Sequence, residues 1–438
     1  MSGLPKGWSV TKIQDVADVG TGATPKRGTK EFYESGTIPW ITSGAVSQGR
    51  ITYADEFITE AAIRSTNCKV FPSGTILVAM YGEGKTRGSV ARLAIDAATN
   101  QALAAIVLPN DDVVSGEFLT NFLTSQYSQL RGLAAGGVQP NLNLQLIRTT
   151  NFPLPPLPEQ KRIVVKLDAL TAKSARARTE LARIETLASR YKQAVLSNAF
   201  SGELSRSDAR FGEFIHTAGN GLSKREGVEG EWTNVLRLTD LNQGQFSPTE
   251  PRQIRLTDKE VEKYRLAKGD VVIIRVNGSA NLVGRSFCFK NDAQWAFCDH
   301  FIRVRLKPAF DPDFAALFLN SPPIRSIIEH KFVSTSGQKT ISQKTLEELP
   351  APQMSLEEQH EIIRRIESAF AKIDRLAVEA RRALELVGRL DEAILAKAFR
   401  GELVPQDEND EPAEHLLARI RAERQAAPKA KRGRGAKA

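Results

Sequence analysis

Apolar positions recur at alternating four- and three-residue steps along two long stretches of this chain. The first seam reads Ile163, Leu167, Leu170, Ser174, Ala177, Leu181, Ile184, Ala188, Tyr191, Val195. The second reads Ile362, Ile366, Ala369, Ile373, Leu376, Ala380, Ala383, Val387, Leu390, Ile394, each 199 positions after its counterpart. The same offset relates Glu159-Gln160 to Glu358-Gln359, and Ala199-Phe200-Ser201-Gly202-Glu203-Leu204 to Ala398-Phe399-Arg400-Gly401-Glu402-Leu403. Strict 4-3 spacing predicts a narrow coiled-coil seam, not the broad stripe of a helix lying on a globular core. Two gap-free copies in one register predict long helices that pair with each other. Pro158 sets up the first turn of the first helix, which is expected to end near Phe200 with Gly202 as its terminal glycine. Ser355 and Glu358 form a capping box for the second helix, where the first copy has Pro156 instead.

Between the seams the pattern changes to short apolar runs bounded by glycine and proline. Ile38–Ile41, Thr75–Met80 and Leu103–Leu108 are predicted strands, and 117–130 is a predicted helix. The second half repeats this framework. Gly219-Asn-Gly-Leu-Ser answers Gly20-Thr-Gly-Ala-Thr, and Gly269-Asp-Val-Val-Ile-Ile answers Gly74-Thr-Ile-Leu-Val-Ala, while the loop side chains differ. The expected fold class is α+β: two similar α/β domains separated by two long helices in a central antiparallel coiled coil, with pseudo-twofold internal repetition. The expected segments are 1–152, 153–205, 206–350, 351–404, and 405–438 with a short amphipathic helix and a basic tail.

Charge and cysteines change this picture only slightly. The net charge of +9 falls to +4 without Lys429, Lys431, Arg432, Arg434 and Lys437 of the tail, so the body is only mildly basic. Three cysteines, Cys68, Cys288 and Cys298, form no C-x-x-C pair and predict no disulfide framework. Cys288 and Cys298 with His300 lack zinc-knuckle spacing, so they are read as buried strand residues and no metal site is expected. No apolar run is long enough to span a membrane, and a cytoplasmic location is expected.

No complete catalytic motif is present. Gly82-x-Gly84 is a lone pair rather than a nucleotide fingerprint, and there is no Walker A sequence. Leu319-Asn-Ser-Pro-Pro-Ile324 imitates the Pro-Pro-aromatic loop of adenine methyltransferases, but Ile324 stands where the aromatic belongs, so a helix break is expected. What remains is a binding design in which duplicated units carry variable polar loops. Internal twofold repetition suits a duplex with two half-sites. Candidate DNA contacts in the first half are Lys26, Arg27, Ser43, Gln48, Lys85, Arg87, Gln139 and Asn141. In the second half they are Lys224, Arg225, Arg237, Asn242, Arg275, Asn277, Arg285, Gln338 and Lys339. These residue types read base edges or meet phosphates.

Leu154-Pro-Pro-Leu-Pro-Glu-Gln160, Leu356-Glu-Glu-Gln359, the two Ala-Phe-x-Gly-Glu-Leu endings and Glu411-Pro-Ala-Glu-His-Leu-Leu-Ala-Arg-Ile420 together resemble the specificity subunits of type I restriction–modification systems. The resemblance implies a non-catalytic subunit with two target-recognition domains, each reading one half of a bipartite DNA site. It also implies partners: two modification (methyltransferase) subunits docked on the coiled coil, and restriction subunits that translocate and cut. S-adenosylmethionine, ATP and Mg would then belong to those partners. Candidate interface residues are Leu167, Leu181, Leu187, Ile366, Leu376, Leu386, Leu416 and Ile420. The alternatives are a specificity subunit of another DNA-modification or defence system, or a self-contained methyltransferase. The seam from Ile163 to Val195 corresponds to roughly 48 Å of helix, which suggests half-sites about one DNA turn apart.

Overall fold

Both seams fold as single helices, Leu157–Leu204 and Leu356–Arg400, in a computed structural model of the chain. The structure describes residues 3–82, 86–109, 114–127, 142–204, 208–242, 245–335 and 337–426. Lys85, Gln139, Asn141, the end of the helix predicted over 117–130 and the basic end of the chain lie outside them, as does the side chain of Asn242. The chain divides into two compact units, Met1–Thr179 with Leu384–Ala438, and Glu180–Ala383. That division falls inside both long helices.

Within the second unit, Glu185 meets Arg381 at 3.4 Å and Lys192 meets Asp374 at 2.6 Å. Seven residues forward on one helix correspond to seven back on the other, so the segments run antiparallel. Within the first unit, Arg178 meets Asp391 at 2.6 Å, while Ile163 and Leu167 share a core with Ala398 and Phe399, and the pairing is again antiparallel.

The seam differs in phase from the sequence reading. On the first helix the inward positions hold from Ile163 through Ala188, but Tyr191 is 63% exposed and Leu196 and Phe200 turn inward. On the second helix the inward set is Ile366, Phe370, Ile373, Ala377, Ala380, Leu384, Val387, Asp391, Ile394 and Ala398. These positions keep heptad spacing: Ala377 and Asp391 take the inward places expected for Leu376 and Leu390, while Phe370 and Leu384 are half-buried beside the equally half-buried Ala369 and Ala383. Leu376 and Leu390 are exposed by 65% and 53%. At most of these steps both neighbours are apolar, so periodicity alone left two phases open. The partner helix selected one, admitting Asp391 because Arg178 pairs with it.

Each unit builds the same pair of sheets. In the first, antiparallel strands run in the order Asp18–Thr21, Leu103–Val107, Ile76–Ala79, Val90–Leu93, with Arg50–Ile51 added in parallel. In the second the order is Ile215–Asn220, Phe301–Leu306, Val271–Ile274, Ser286–Cys288. The other sheet of the first unit is Glu56–Ile58, Ile38–Ile41, Ala97–Thr99, Val70–Phe71; its counterpart is Arg252–Leu256, Glu231–Leu236, Trp295–Phe297, Arg265–Leu266. In both, the second strand is antiparallel to the first and parallel to the third, and the fourth is antiparallel to the third. Gly22 and Gly221 occupy equivalent turns: an added Cβ would lie 1.8 Å from the Thr99 carbonyl oxygen or 2.1 Å from that of Cys298. Only glycine fits so close an approach.

The repeated motifs tie the long helices to these sheets. Gln160 is fully buried; its Oε1 accepts from Ser115 N at 2.8 Å and its Nε2 donates to Pro155 O at 3.0 Å. Gln359, equally buried, accepts from Asp311 N at 2.8 Å and donates to Ala309 O and Met354 O, both at 3.0 Å. Ser115 and Asp311 are the N-caps of helices Gly116–Ser125 and Pro312–Leu319. Those helices also receive the far ends of the long helices. Phe399 sits 5.4 and 5.3 Å from Phe118 and Phe122, and Phe200 sits 5.3 and 5.9 Å from Phe314 and Phe318. The apolar faces of helices 116–125 and 312–319 are thus covered by an edge-to-face aromatic plug.

The predicted capping box forms: Ser355 N donates to Glu358 Oε2 at 2.8 Å, and Glu358 N donates to Ser355 Oγ at 3.3 Å. The first helix does not stop at Phe200. It continues to Leu204, with Gly202 inside its last turn, whereas Gly401 ends the second helix at φ +75°. The Asn-Ser-Pro-Pro sequence is a helix break, with Asn320 closing one helix and Ser321 opening Pro322–His330. No helix among the described residues is long and apolar enough to cross a membrane.

Candidate nucleic-acid interface

In the first unit the candidate loops follow strand ends. Lys26 is exposed, while the neighbouring Arg27 is committed: its guanidinium pairs with both Glu56 carboxylate oxygens and lies 4.9 Å from the Trp40 ring centroid. The Glu56 carboxylate raises the Arg27 pKa further above its ordinary value. Ser43 and Gln48 bound the half-exposed turn that follows strand Ile38–Ile41. Arg87 donates to Gly82 O at 3.5 Å, and its Nε is buried with no partner among the described residues. Among the described residues, Lys26, Ser43 and Gln48 are the accessible candidates in this unit, and Arg27 acts first as a brace for its own loop.

The second unit gathers more of its candidates. Strands Val276–Asn277, Gln338–Thr340 and Val333–Thr335 form a sheet in which Asn277 faces Lys339 in register. Arg275, at the entry to this sheet, donates from Nη1 to Asp299 O at 3.1 Å and from its backbone N to His300 O at 2.7 Å. Arg225 lies 3.5 Å from Asp299 Oδ1, so two cations lean on one turn. Lys224 and Arg237 are drawn elsewhere. Lys224 pairs with Glu260 at 3.0 Å, and Arg237 donates to Glu250 O at 2.9 Å and lies 3.5 Å from Asp240. Arg285 donates to Asn281 O at 3.1 Å, and burial pushes its pKa below the ordinary value.

Two features escaped sequence reasoning. Arg325, only 5% exposed, donates to the carbonyl oxygens of Val283, Ala280 and Asn281 and to Glu329, and so braces the loop that carries Arg285. A single arginine in a short amphipathic helix gives no local signal of that role. Trp232, 61% exposed, pairs in register with Arg255, whose guanidinium lies 5.2 Å from the ring. The alternating pattern Glu231-Trp-Thr-Asn-Val-Leu236 could have pointed to this outward aromatic.

Set beside known proteins, the family described as the type I restriction modification DNA specificity domain matches residues 5–186 and 216–385, most of the chain. The chain belongs to this family. Among its relatives, the StySPI specificity subunit of Salmonella potsdam is 30% identical over 445 residues, covering 96% of each chain. The EcoKI specificity subunit of Escherichia coli K12 is 27% identical over 448 residues, covering 97% of each. The fold matches the HsdS subunit of Thermoanaerobacter tengcongensis with a TM-score of 0.58 at 20% identity, over 91% of this chain and 98% of that one. A chain from a structure on complex assembly in the type I R-M system gives 0.68 at 20% identity, over 91% of this chain and 99% of that one. The protein is a type I restriction–modification specificity subunit, its task is DNA recognition, and its expected α+β duplicated fold is the fold observed.

The candidate docking residues of this specificity subunit separate into two groups. Leu167, Leu416 and Ile420 are buried in the first unit's core and Ile366 in the second's, so none offers a free apolar surface. The tail helix, Ala413–Ala426, uses Leu416 and Ile420 to close its own unit, and Ala413 N donates to Gly7 O at 2.9 Å. Leu181 is half-buried along the seam, whereas Leu187, Leu376 and Leu386 are exposed by 45%, 65% and 60%.

Proposed function

We propose that this subunit reads a bipartite DNA sequence, one half-site per unit, and carries two modification subunits on the outer faces of its long helices. The carrying observation is the doubled sheet topology, with different polar side chains in equivalent loops. One scaffold holding two loop sets is the arrangement a two-part target requires. Chemistry then falls to partners that supply S-adenosylmethionine, ATP and Mg, and the isolated chain should transfer no methyl groups to DNA.

Docking at the helices is supported by a repeated exposed pair. Leu187 and Tyr191 on the first helix are 45% and 63% exposed, and their counterparts Leu386 and Leu390 are 60% and 53% exposed. Equivalent apolar pairs at one-turn spacing suit two copies of the same partner. Leu187→Asp with Tyr191→Asp should lower the modification-subunit stoichiometry from two to one in native mass spectra, and two bound copies would remove these residues from the interface.

The decisive experiment exchanges residues 1–152 for the first domain of a relative and maps methylated sites in host DNA. One half of the target should change and the other persist. A change in both halves would overturn the modular reading.

A further inference from the structure

The turn that supports Arg225 and Arg275 holds three side chains of metal-ligating type. Cys298 Sγ lies 3.7 Å from His300 Nδ1, and His300 Nδ1 lies 3.3 Å from Asp299 Oδ1. All three ligand atoms fall within 4.8 Å of one another. Zinc binds thiolate at about 2.3 Å and nitrogen or oxygen at about 2.0–2.2 Å, so tetrahedral ligand atoms stand about 3.3–3.6 Å apart. The two distances sit at or just beyond that spacing, although the residues are consecutive and match no zinc-knuckle sequence.

A second observation points the same way. Asp299 Oδ1 is buried and has no hydrogen-bond partner among the described residues. Its closest nitrogen neighbours are His300 Nδ1 at 3.3 Å and the Arg225 guanidinium at 3.5 Å, and neither makes a hydrogen bond to it. Burying a carboxylate oxygen without a donor is costly, and a dication would offset that cost. Cys298 itself is 6% exposed, and burial pushes its thiol above the ordinary pKa. Metal binding therefore has to expel the thiol proton to solvent as the sulfur–metal bond forms. The equivalent turn of the first unit, across from Gly22 rather than Gly221, is Thr99-Asn100-Gln101 and carries no such set. The feature belongs to the variable loop chemistry of the second unit, not to the shared scaffold.

We propose that Cys298, Asp299 and His300 bind one zinc-class divalent ion, with the fourth position left to water or an incoming group. This departs from the sequence expectation, which weighed Cys288 with Cys298 and His300 and expected no metal. Cys288 lies on a strand of the other sheet, while Asp299 completes the set. The ion would fix the turn to which Arg275 donates twice, making the second unit's cation pair more rigid than the first unit's loops. The site stands or falls independently of the DNA reading.

The test uses the full chain, stripped with chelator and titrated with cobalt(II). One equivalent should bind and give a thiolate-to-cobalt charge-transfer band, and zinc should displace it. Cys298→Ser should abolish the band, and His300→Ala and Asp299→Asn should each weaken binding at least about tenfold. Cys288→Ser and Cys68→Ser should behave like the parent chain. Circular dichroism without metal checks that each variant folds, and if Cys298→Ser does not, the His300 and Asp299 variants decide the matter. No stoichiometric binding, a band that survives Cys298→Ser, or one lost in Cys288→Ser would overturn the proposal.

Discussion

Gln359→Ala tests how the long helix is joined to its recognition domain. The amide accepts from Asp311 N at 2.8 Å and donates to two carbonyl oxygens at 3.0 Å, all in a fully buried site. Truncation leaves Asp311 N–H without this acceptor and two carbonyls without this donor. A buried donor left unsatisfied costs about 1–3 kcal/mol. Carbonyls tolerate loss of one partner better, so the whole change should cost about 2–4 kcal/mol. Because a chain of two units need not unfold in one step, the readout should be local. Hydrogen exchange across Asp311–Leu319 should accelerate about a hundredfold for a loss of about 3 kcal/mol, with tenfold per 1.4 kcal/mol. Gln359→Glu keeps the acceptor but turns a second oxygen toward Ala309 O and Met354 O, so it should be at least as damaging as alanine. Gln160→Ala should reproduce the effect at Ser115–Ser125. A change under about 0.5 kcal/mol, typical of surface substitutions, or a Glu variant milder than Ala, would refute the amide-clamp reasoning.

Phe200→Ala and Phe399→Ala should each cost about 3–5 kcal/mol as buried aromatic truncations, measured by denaturant titration, each loosening only the unit whose helix that ring covers. Arg325→Lys should make residues 279–285 more sensitive to limited proteolysis, since a point cation cannot bridge the carbonyls of Val283, Ala280 and Asn281 at once. Glu159 is buried and accepts from Trp8 Nε1 at 3.0 Å and Gln406 Nε2 at 3.3 Å, and burial raises its pKa above the ordinary 4.5. A raised folded value means the native state binds the extra proton. Its contribution is full below the unfolded value and is lost as pH rises through the folded one. Melting of the first unit should therefore gain stability on acidification just above pH 4.5, and that gain should vanish in Glu159→Ala.

The sequence by itself determined the duplication, the existence of both long helices and the strands at Ile38, Ile76 and Leu103, because those signals are local periodicities. It also placed the capping box of the second helix and the break at Ser321. Tertiary structure decided what depends on a distant neighbour. Leu376 and Ala377 are both apolar, and the facing helix chose the alanine for the seam and left the leucine outside. Leu416 and Ile420 were expected at a partner interface, whereas the first unit's own core buries both. Of the loop cations, Arg27, Lys224 and Arg237 were captured by Glu56, Glu260 and the Asp240–Glu250 region, while Arg225 and Arg275 were brought to one turn. Long polar side chains pair according to which acceptor the fold brings within about 3 Å, and that is fixed by chain topology rather than by spacing along the sequence.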